Sequence, residues 1–207
     1  MSPQDIEALF TRNTGAYHFA RWGRPIAPIA FGVEDESLGV IKGAVEAMCT
    51  LAGHSTAETD PELGANLMFF FVRDWQELVA VPNLDQLIPN LGEVVTRLEA
   101  AQANQYRAFR FDTQGGIQAA FVLLRMDEVL QTMAAEDLAL TQVAQVMLLW
   151  GEGAFADQSP LAVASETTVL RPEIGDIIRA GYDAVMPVAD QDPSHALRLF
   201  ARLPAAE

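Results

Sequence analysis

The chain has one cysteine, one lysine, three histidines and no apolar run long enough to cross a bilayer. Each shortage closes off a class of function. Cys49 alone permits no intramolecular disulfide, and with no histidine beside it in sequence it offers no cysteine-based zinc site. It falls on an apolar helical stripe, where a buried and inert thiol is expected. The most apolar run, Leu67 to Val72, is far shorter than the roughly 20 residues a spanning helix needs. His18, His54 and His195 lie far apart, and none has a partner at the i+4 spacing that puts two imidazoles on one helical face. There is no glycine-rich phosphate loop ending in Lys-Ser/Thr and no Gly-x-Ser-x-Gly elbow. Gly151-Glu152-Gly153 lacks the strand-to-helix context of a phosphate cradle and reads as a helix stop. Neither a metal nor a cofactor is expected.

Positive charge is also scarce. Thirteen basic residues against 28 acidic ones leave a net charge of −15, which repels phosphate backbones and anionic lipid surfaces. Nucleic acid and membrane insertion are therefore not expected. The pairs Arg21/Arg24 and Arg107/Arg110 read as residues that flank or line strands, because no basic patch surrounds them. The acidic pairs Asp127-Glu128 and Glu136-Asp137 sit at predicted helix starts, where carboxylates complement the macrodipole. The acidic opening Met-Ser-Pro-Gln-Asp-Ile-Glu has no basic and apolar leader pattern, which points to the cytoplasm. The alternative is an exported chain whose signal has been removed.

What is present is a well-patterned α+β chain. At 207 residues and 50% hydrophobic content, one domain over residues 1–207 with a sizeable core is expected. Ile6, Leu9 and Phe10 behind Ser2-Pro3 predict a short amphipathic helix. Arg24 to Phe31 carries two prolines and reads as a strand that lies at an edge or begins irregularly, ended by Gly32. Leu38, Ile41, Val45, Met48, Cys49 and Ala52 predict a long helix stopped at Gly53. Leu67 to Val72 reads as an interior strand covered on both faces. Trp75 to Ala103, broken by Pro82 and Pro89, reads as two or three short helices. Phe109 and Phe111 share one face of a strand, and Gly115-Gly116 turn it into a hairpin with Ile117 to Leu124. Helices are predicted over Met126–Ala134 and over Asp137–Trp150, the second nearly all apolar and central. A loop from Gly151 to Thr168 follows, long enough to suggest a functional segment. Pro172 opens a helix with Ile174, Ile177 and Ile178 inward, and Pro193 a last one with Leu197 and Phe200 on its marked face. Trp22, Trp75 and Trp150 read as packing residues.

In this order the motifs resemble those of a bacterial family known as domain of unknown function 2927. The likeness begins at Arg21-Trp22-Gly23-Arg24-Pro25-Ile26, similar to the family's Arg-Trp-x-x-Pro-Val. It continues through Leu51-Ala-Gly-His54 and Ala65-Asn66 into Leu140-Thr141-Gln142-Val143-Ala144-Gln145. Ala156-Asp157-Gln158-Ser159-Pro160 resembles the family's Asn-Asp-Ser-Pro loop, and Tyr182-Asp183 its Tyr-Asp-Pro, with Ala184 in place of the proline. Family members carry a zincin-like His-Glu-Glu-x-Ala-Gln helix. Here its reactive positions read Leu140, Thr141 and Gln142, which supply neither a metal ligand nor a base.

The resemblance thus implies a mixed sheet of four or five strands packed by helices, distantly zincin-like, that has lost its reactive groups. The function it implies is a non-catalytic binding or interaction protein using the cleft between the Asp137–Trp150 helix and the Gly151–Thr168 loop. Thr141, Gln142 and Gln145 would hydrogen-bond a peptide, protein or small polar ligand, with His54, Asn66 and Asp157 as further candidates. Two alternatives stay open. One is a hydrolase whose acids meet His54 only in three dimensions. The other is a structural homodimer with Trp150 and the apolar loop at its seam.

Overall fold

Strand alternation and helical periodicity place most of the elements in the computed structural model, which describes residues 1–164 and 167–204. Helix α1 (Pro3–Phe10) starts in a capping box: Ser2 Oγ accepts from the Asp5 N–H, and Asp5 Oδ2 accepts from the Ser2 N–H. Strand β1 is Phe19–Ala20 and strand β2 is Pro28–Phe31. The run before β2 begins irregularly, as its two prolines suggest, with Ile26 making only an isolated bridge to Thr56, and β2 lies at an edge of its sheet. A Cβ on Gly32, which has φ +82, would sit 2.2 Å from the Phe71 carbonyl oxygen, so the chain leaves the sheet at the one residue that fits. Helix α2 (Asp35–Ala52) buries Ile41, Val45, Met48, Cys49 and Ala52 as its spacing predicts, and it ends at Gly53. Burial pushes the Cys49 thiol up to about 11, which leaves it unreactive near neutral pH.

Strand β3 (Leu67–Val72) is followed by three short helices, α3 (Gln76–Val79), α4 (Leu84–Leu87) and α5 (Leu91–Ala100). Strands β4 (Gln105–Phe111) and β5 (Ile117–Arg125) form the expected hairpin. Beyond it the helical expectations need correcting. The run from Met126 condenses into one turn, α6 (Glu128–Gln131), capped by Asp127. Helix α7 (Ala135–Met147) stops three residues before Trp150. Leu148 is extended there and bridges Arg21, and the Leu149 N–H donates to the Ala20 carbonyl at 2.8 Å. No glycine or proline marks this stop: backbone partners after β1 end the helix, and local propensity gives no sign of them.

The long loop is likewise only half a loop. Strands β6 (Leu161–Ala164) and β7 (Thr167–Leu170) pair antiparallel within it. Helix α8 (Pro172–Gly181) buries Ile174, Ile177 and Ile178. Strand β8 (Ala189–Asp190) pairs with β1, and α9 (His195–Phe200) closes the chain. Its expected face is reversed. Leu197 and Phe200 are 56% and 40% exposed, while His195, Ala196 and Leu199 are buried. The helix can turn His195 inward because Tyr17 offers its hydroxyl to Nδ1 at 2.8 Å.

The main sheet is mixed, in the order β2-β3-β5-β4, with β2, β3 and β5 parallel and β4 antiparallel to β5. Its period of two divides the core. Met68, Phe70 and Val72 of β3, with Ala119, Phe121 and Leu123 of β5, pack towards α3, α4 and α5. Leu67, Phe69, Ala120, Val122 and Leu124 pack on the other face with residues of α1, α2, α7, α8 and α9. No described helix is long and apolar enough to cross a membrane.

His195 generates a pH prediction. Burial pulls its imidazole down to about 4, so the fold holds it neutral, while the unfolded chain protonates it below its ordinary 6.5. Its contribution is fully present above pH 6.5 and is lost as pH falls towards 4, a difference of roughly 2–3 kcal/mol. Urea unfolding of wild type and a Tyr17→Phe/His195→Phe variant should show a steeper loss of stability between pH 6.5 and 4 in the wild type. Parallel losses would mean that His195 does not carry it.

Candidate functional site

The alternation that puts Phe109 and Phe111 on one face of β4 puts Gln105 and Arg107 there too, facing α7. Arg107 Nη2 donates to Gln105 Oε1 at 2.7 Å and to Gln142 Oε1 at 2.6 Å. The Gln142 amide donates in turn to Gln105 Oε1 at 3.1 Å, and Gln142 is only 1% exposed. Two neutral side chains thus hold the guanidinium without neutralising it. Its Nε is buried without a partner, and no carboxylate of the described residues pairs with it. Burial lowers the Arg107 pKa to about 10, which still leaves it charged at neutral pH.

This cation stands in the wall of a cleft of about 380 Å³, within the size range of small-ligand sites. Phe109, Trp150 and Phe155 give the cleft apolar surface, and Gln145 and Arg12 add polar groups. The rim is tied down. Arg12 contacts Glu152 at 2.5 Å and donates to the Trp150 carbonyl at 3.2 Å, and the Asn13 N–H donates to Glu152 at 3.0 Å. Burial works against the Glu152 charge, but hydrogen bonds and Arg12 outweigh it and hold the carboxyl below its usual range. Gly151 is a close-approach residue and not a simple helix stop: its N–H donates to the Leu9 carbonyl at 2.7 Å, and a Cβ there would lie 2.4 Å from the Thr11 carbonyl oxygen. Trp150 faces inward, stacked on Phe10 at 5.2 Å with its indole N–H on the Ala144 carbonyl, so it is not free to form an exposed seam.

A smaller hollow of about 270 Å³ adjoins the cleft and is lined by Gln105, Thr141, Gln145 and Asp157. The structure therefore gathers three of the residues singled out from the sequence, Thr141, Gln145 and Asp157, between α7 and the 151–160 segment, with Gln142 buried behind them against Gln105 and Arg107 of β4. It does not bring His54 or Asn66 to them. Asn66 sits at the amino end of β3, whereas Gln105 pairs with Leu124, level with Phe71 towards its carboxyl end. His54 Nε2–H donates to the Arg24 carbonyl at 2.8 Å, and its ring lies against Tyr182. No carboxylate of the described residues pairs with His54. Burial, with Arg21 nearby, lowers its pKa even though the bond to Arg24 works the other way. Asn66 is fully buried: Oδ1 accepts from the Ala27 N–H at 2.8 Å, and Nδ2 donates to the Pro25 carbonyl and to Asp60 Oδ2. Both residues fasten the approach to β2.

Arg107, Gln105, Arg12 and Phe155 are the cleft residues that sequence reasoning passed over. One signal for Arg107 was available: an arginine two positions before Phe109 lies on the inward face of its strand. The paired reading of Arg107 with Arg110 hid it, because three residues along a strand change sides. Arg110 reaches the opposite face and lies over Phe121. Among the described residues, no three histidine, cysteine or carboxylate side chains converge to hold a metal ion. No family model, no curated protein and no solved structure matches the chain.

Two substitutions separate fastening from binding. Asn66→Ala strands the buried Ala27 N–H and Pro25 carbonyl and should cost about 2–4 kcal/mol in urea unfolding. Gly151→Ala forces the rim away from Thr11 and should destabilise by about 1–3 kcal/mol. It should also raise amide exchange in the 150–156 segment, and unchanged exchange there would show that the rim does not depend on this contact.

Proposed function

We propose that the chain is a non-catalytic binding protein whose cleft between β4, α7 and the 151–160 segment takes a ligand bearing a carboxylate. The single supporting observation is Arg107, a half-buried guanidinium whose side-chain partners are amides alone. An uncompensated charge in such a place is costly, and a ligand carboxylate would relieve the cost with a charge-assisted bond. The aromatic side chains Phe109, Trp150 and Phe155 offer surface to an apolar body attached to that carboxylate. The likeness to the family with a His-Glu-Glu-x-Ala-Gln helix fits this reading. Gln142 occupies a position that the family fills with glutamate, and a glutamate there would neutralise Arg107. A degenerate metallohydrolase-like scaffold turned to binding is the reading that follows. The hydrolase alternative lacks support at its best candidate, since His54 is bonded to a backbone carbonyl and no acid among the described residues pairs with it.

The test uses phenylacetate and its neutral counterpart phenylacetamide, titrated against the wild type, Gln142→Glu and Arg107→Gln. Gln142→Glu keeps the shape of the side chain and supplies an internal carboxylate. It should leave the melting temperature unchanged or higher while weakening phenylacetate binding about tenfold or more. Equal binding of acid and amide by the wild type, or unchanged phenylacetate binding by Gln142→Glu, would overturn the proposal.

A further inference from the structure

Strand β4 has β5 on one side and, among the described residues, no strand on the other. The direction of its backbone groups follows from the ladder. Ala120 gives its N–H to Asn66 on the β3 side, and the Arg125 N–H donates to the Asn104 carbonyl. Hydrogen-bonded pairs alternate along an antiparallel ladder, so Tyr106, Ala108 and Arg110 bond inward to β5. Gln105, Arg107 and Phe109 then turn their N–H and C=O groups outward. Among the described residues, no backbone partner outside the ladder takes the N–H groups of Arg107 or Phe109. An edge of this kind is a template for another strand.

Two hollows lie along that edge, and each reaches a different side of the sheet. On the α7 face is the cleft with Arg107 in its wall. A second hollow of about 350 Å³ reaches towards the α5 face; Ile88, Pro89 and Val94 give it apolar surface there beside Tyr106 and Ala108, while Arg12, His18 and Arg107 line its polar side. The charges nearby point the same way. Arg107 on the α7 face makes no ion pair among the described residues, although the chain carries −15 overall, and Arg110 of β4 and Arg97 of α5, also without ion pairs, flank the edge on its other face. Glu152, the acid on the cleft rim, is already paired with Arg12.

Resting on the carboxylate-binding reading above, we infer that the ligand is an extended peptide with acidic and β-branched apolar residues in alternation, added as a strand to the free edge of β4. Its backbone takes the outward N–H and C=O groups of Arg107 and Phe109. Its acidic side chains fall on the face of Arg107, and its apolar ones on the face of Ile88 and Val94, because successive side chains of a strand point to opposite sides. A second copy of this chain is the poorer occupant, since edge-to-edge pairing brings the arginines of β4 against themselves.

The experiment uses the full chain and a blocked heptapeptide, Val-Glu-Val-Glu-Val-Glu-Val. Its partners are the glutamine analogue and two analogues N-methylated on alternate residues, one on the valines and one on the glutamates. The acidic peptide should bind and slow amide exchange at Arg107 and Phe109. One N-methylated analogue should bind about tenfold weaker or worse while the other stays close to the parent, because only one set of peptide N–H groups faces β4. The glutamine analogue should also lose about tenfold. If both N-methylated analogues bind like the parent, strand addition is overturned and the carboxylate site stands. If neither the peptide nor phenylacetate binds, the underlying reading fails with it. A dimer in light scattering, with Arg107 and Phe109 amides protected before any peptide is added, would assign the edge to a second copy and overturn the inference.

Discussion

Almost every side chain of β3 and β5 is surrendered to one apolar layer or the other, and the rest of the structure follows from that double burial. A strand covered on both faces has nowhere to place a polar side chain. Polarity is therefore exported to the ends of the sheet and to its outer strands. At the amino end of β3, Asn66 and Asp60 satisfy one another and the backbone approaching β2. Hydrogen bonds from the Leu63 and Glu62 N–H groups and from Asn66, with Arg24 nearby, overcome the cost of burying the Asp60 charge and hold its carboxyl below the usual range. That polar cluster is closed.

The outer strand β4 is handled differently. It is half-buried, its inward face carries both Arg107 and Phe109, and the helix opposite offers Gln142 rather than an acid. A buried amide meets the directional requirement of a guanidinium but not its charge. The contrast between the two ends is the physical basis for placing a ligand at one and none at the other. Where Asp60 completes its cluster internally, Arg107 remains a cation in search of an anion. Natural edge strands are often blunted by charge or by covering loops. Here the rim segment around Gly151, fastened by Arg12, stops short of covering the edge and leaves the cleft open beside it.

The element order was largely legible from the sequence, for reasons that belong to short stretches of chain. The apolar run Leu67–Val72 announces an interior strand, the Leu38–Ala52 stripe a helix, and Gly115-Gly116 a hairpin, because each depends on neighbours within a few residues. The errors fall where a distant segment decides. Met147 ends α7 because Arg21 and Ala20 offer backbone partners to Leu148 and Leu149. Helix α9 buries His195 because Tyr17, far away in sequence, supplies a hydrogen bond. The β6–β7 pair lay hidden in a stretch rich in glycine, alanine and serine whose weak pattern suggested only a loop.

The site divides along the same line. Sequence alone determined that α7 offers amide and hydroxyl groups at Thr141, Gln142 and Gln145, since residue identity fixes which side chains can ligate or titrate. It also determined that Arg107 shares a strand face with Phe109, since alternation is a property of the backbone. Only the tertiary structure decided that Gln142 and Arg107 meet, that His54 and Asn66 are spent on the far end of the sheet, and that no described acid reaches the guanidinium. Those facts depend on the packing of α7 against an edge strand more than 30 residues earlier in the chain, and no local pattern encodes that distance.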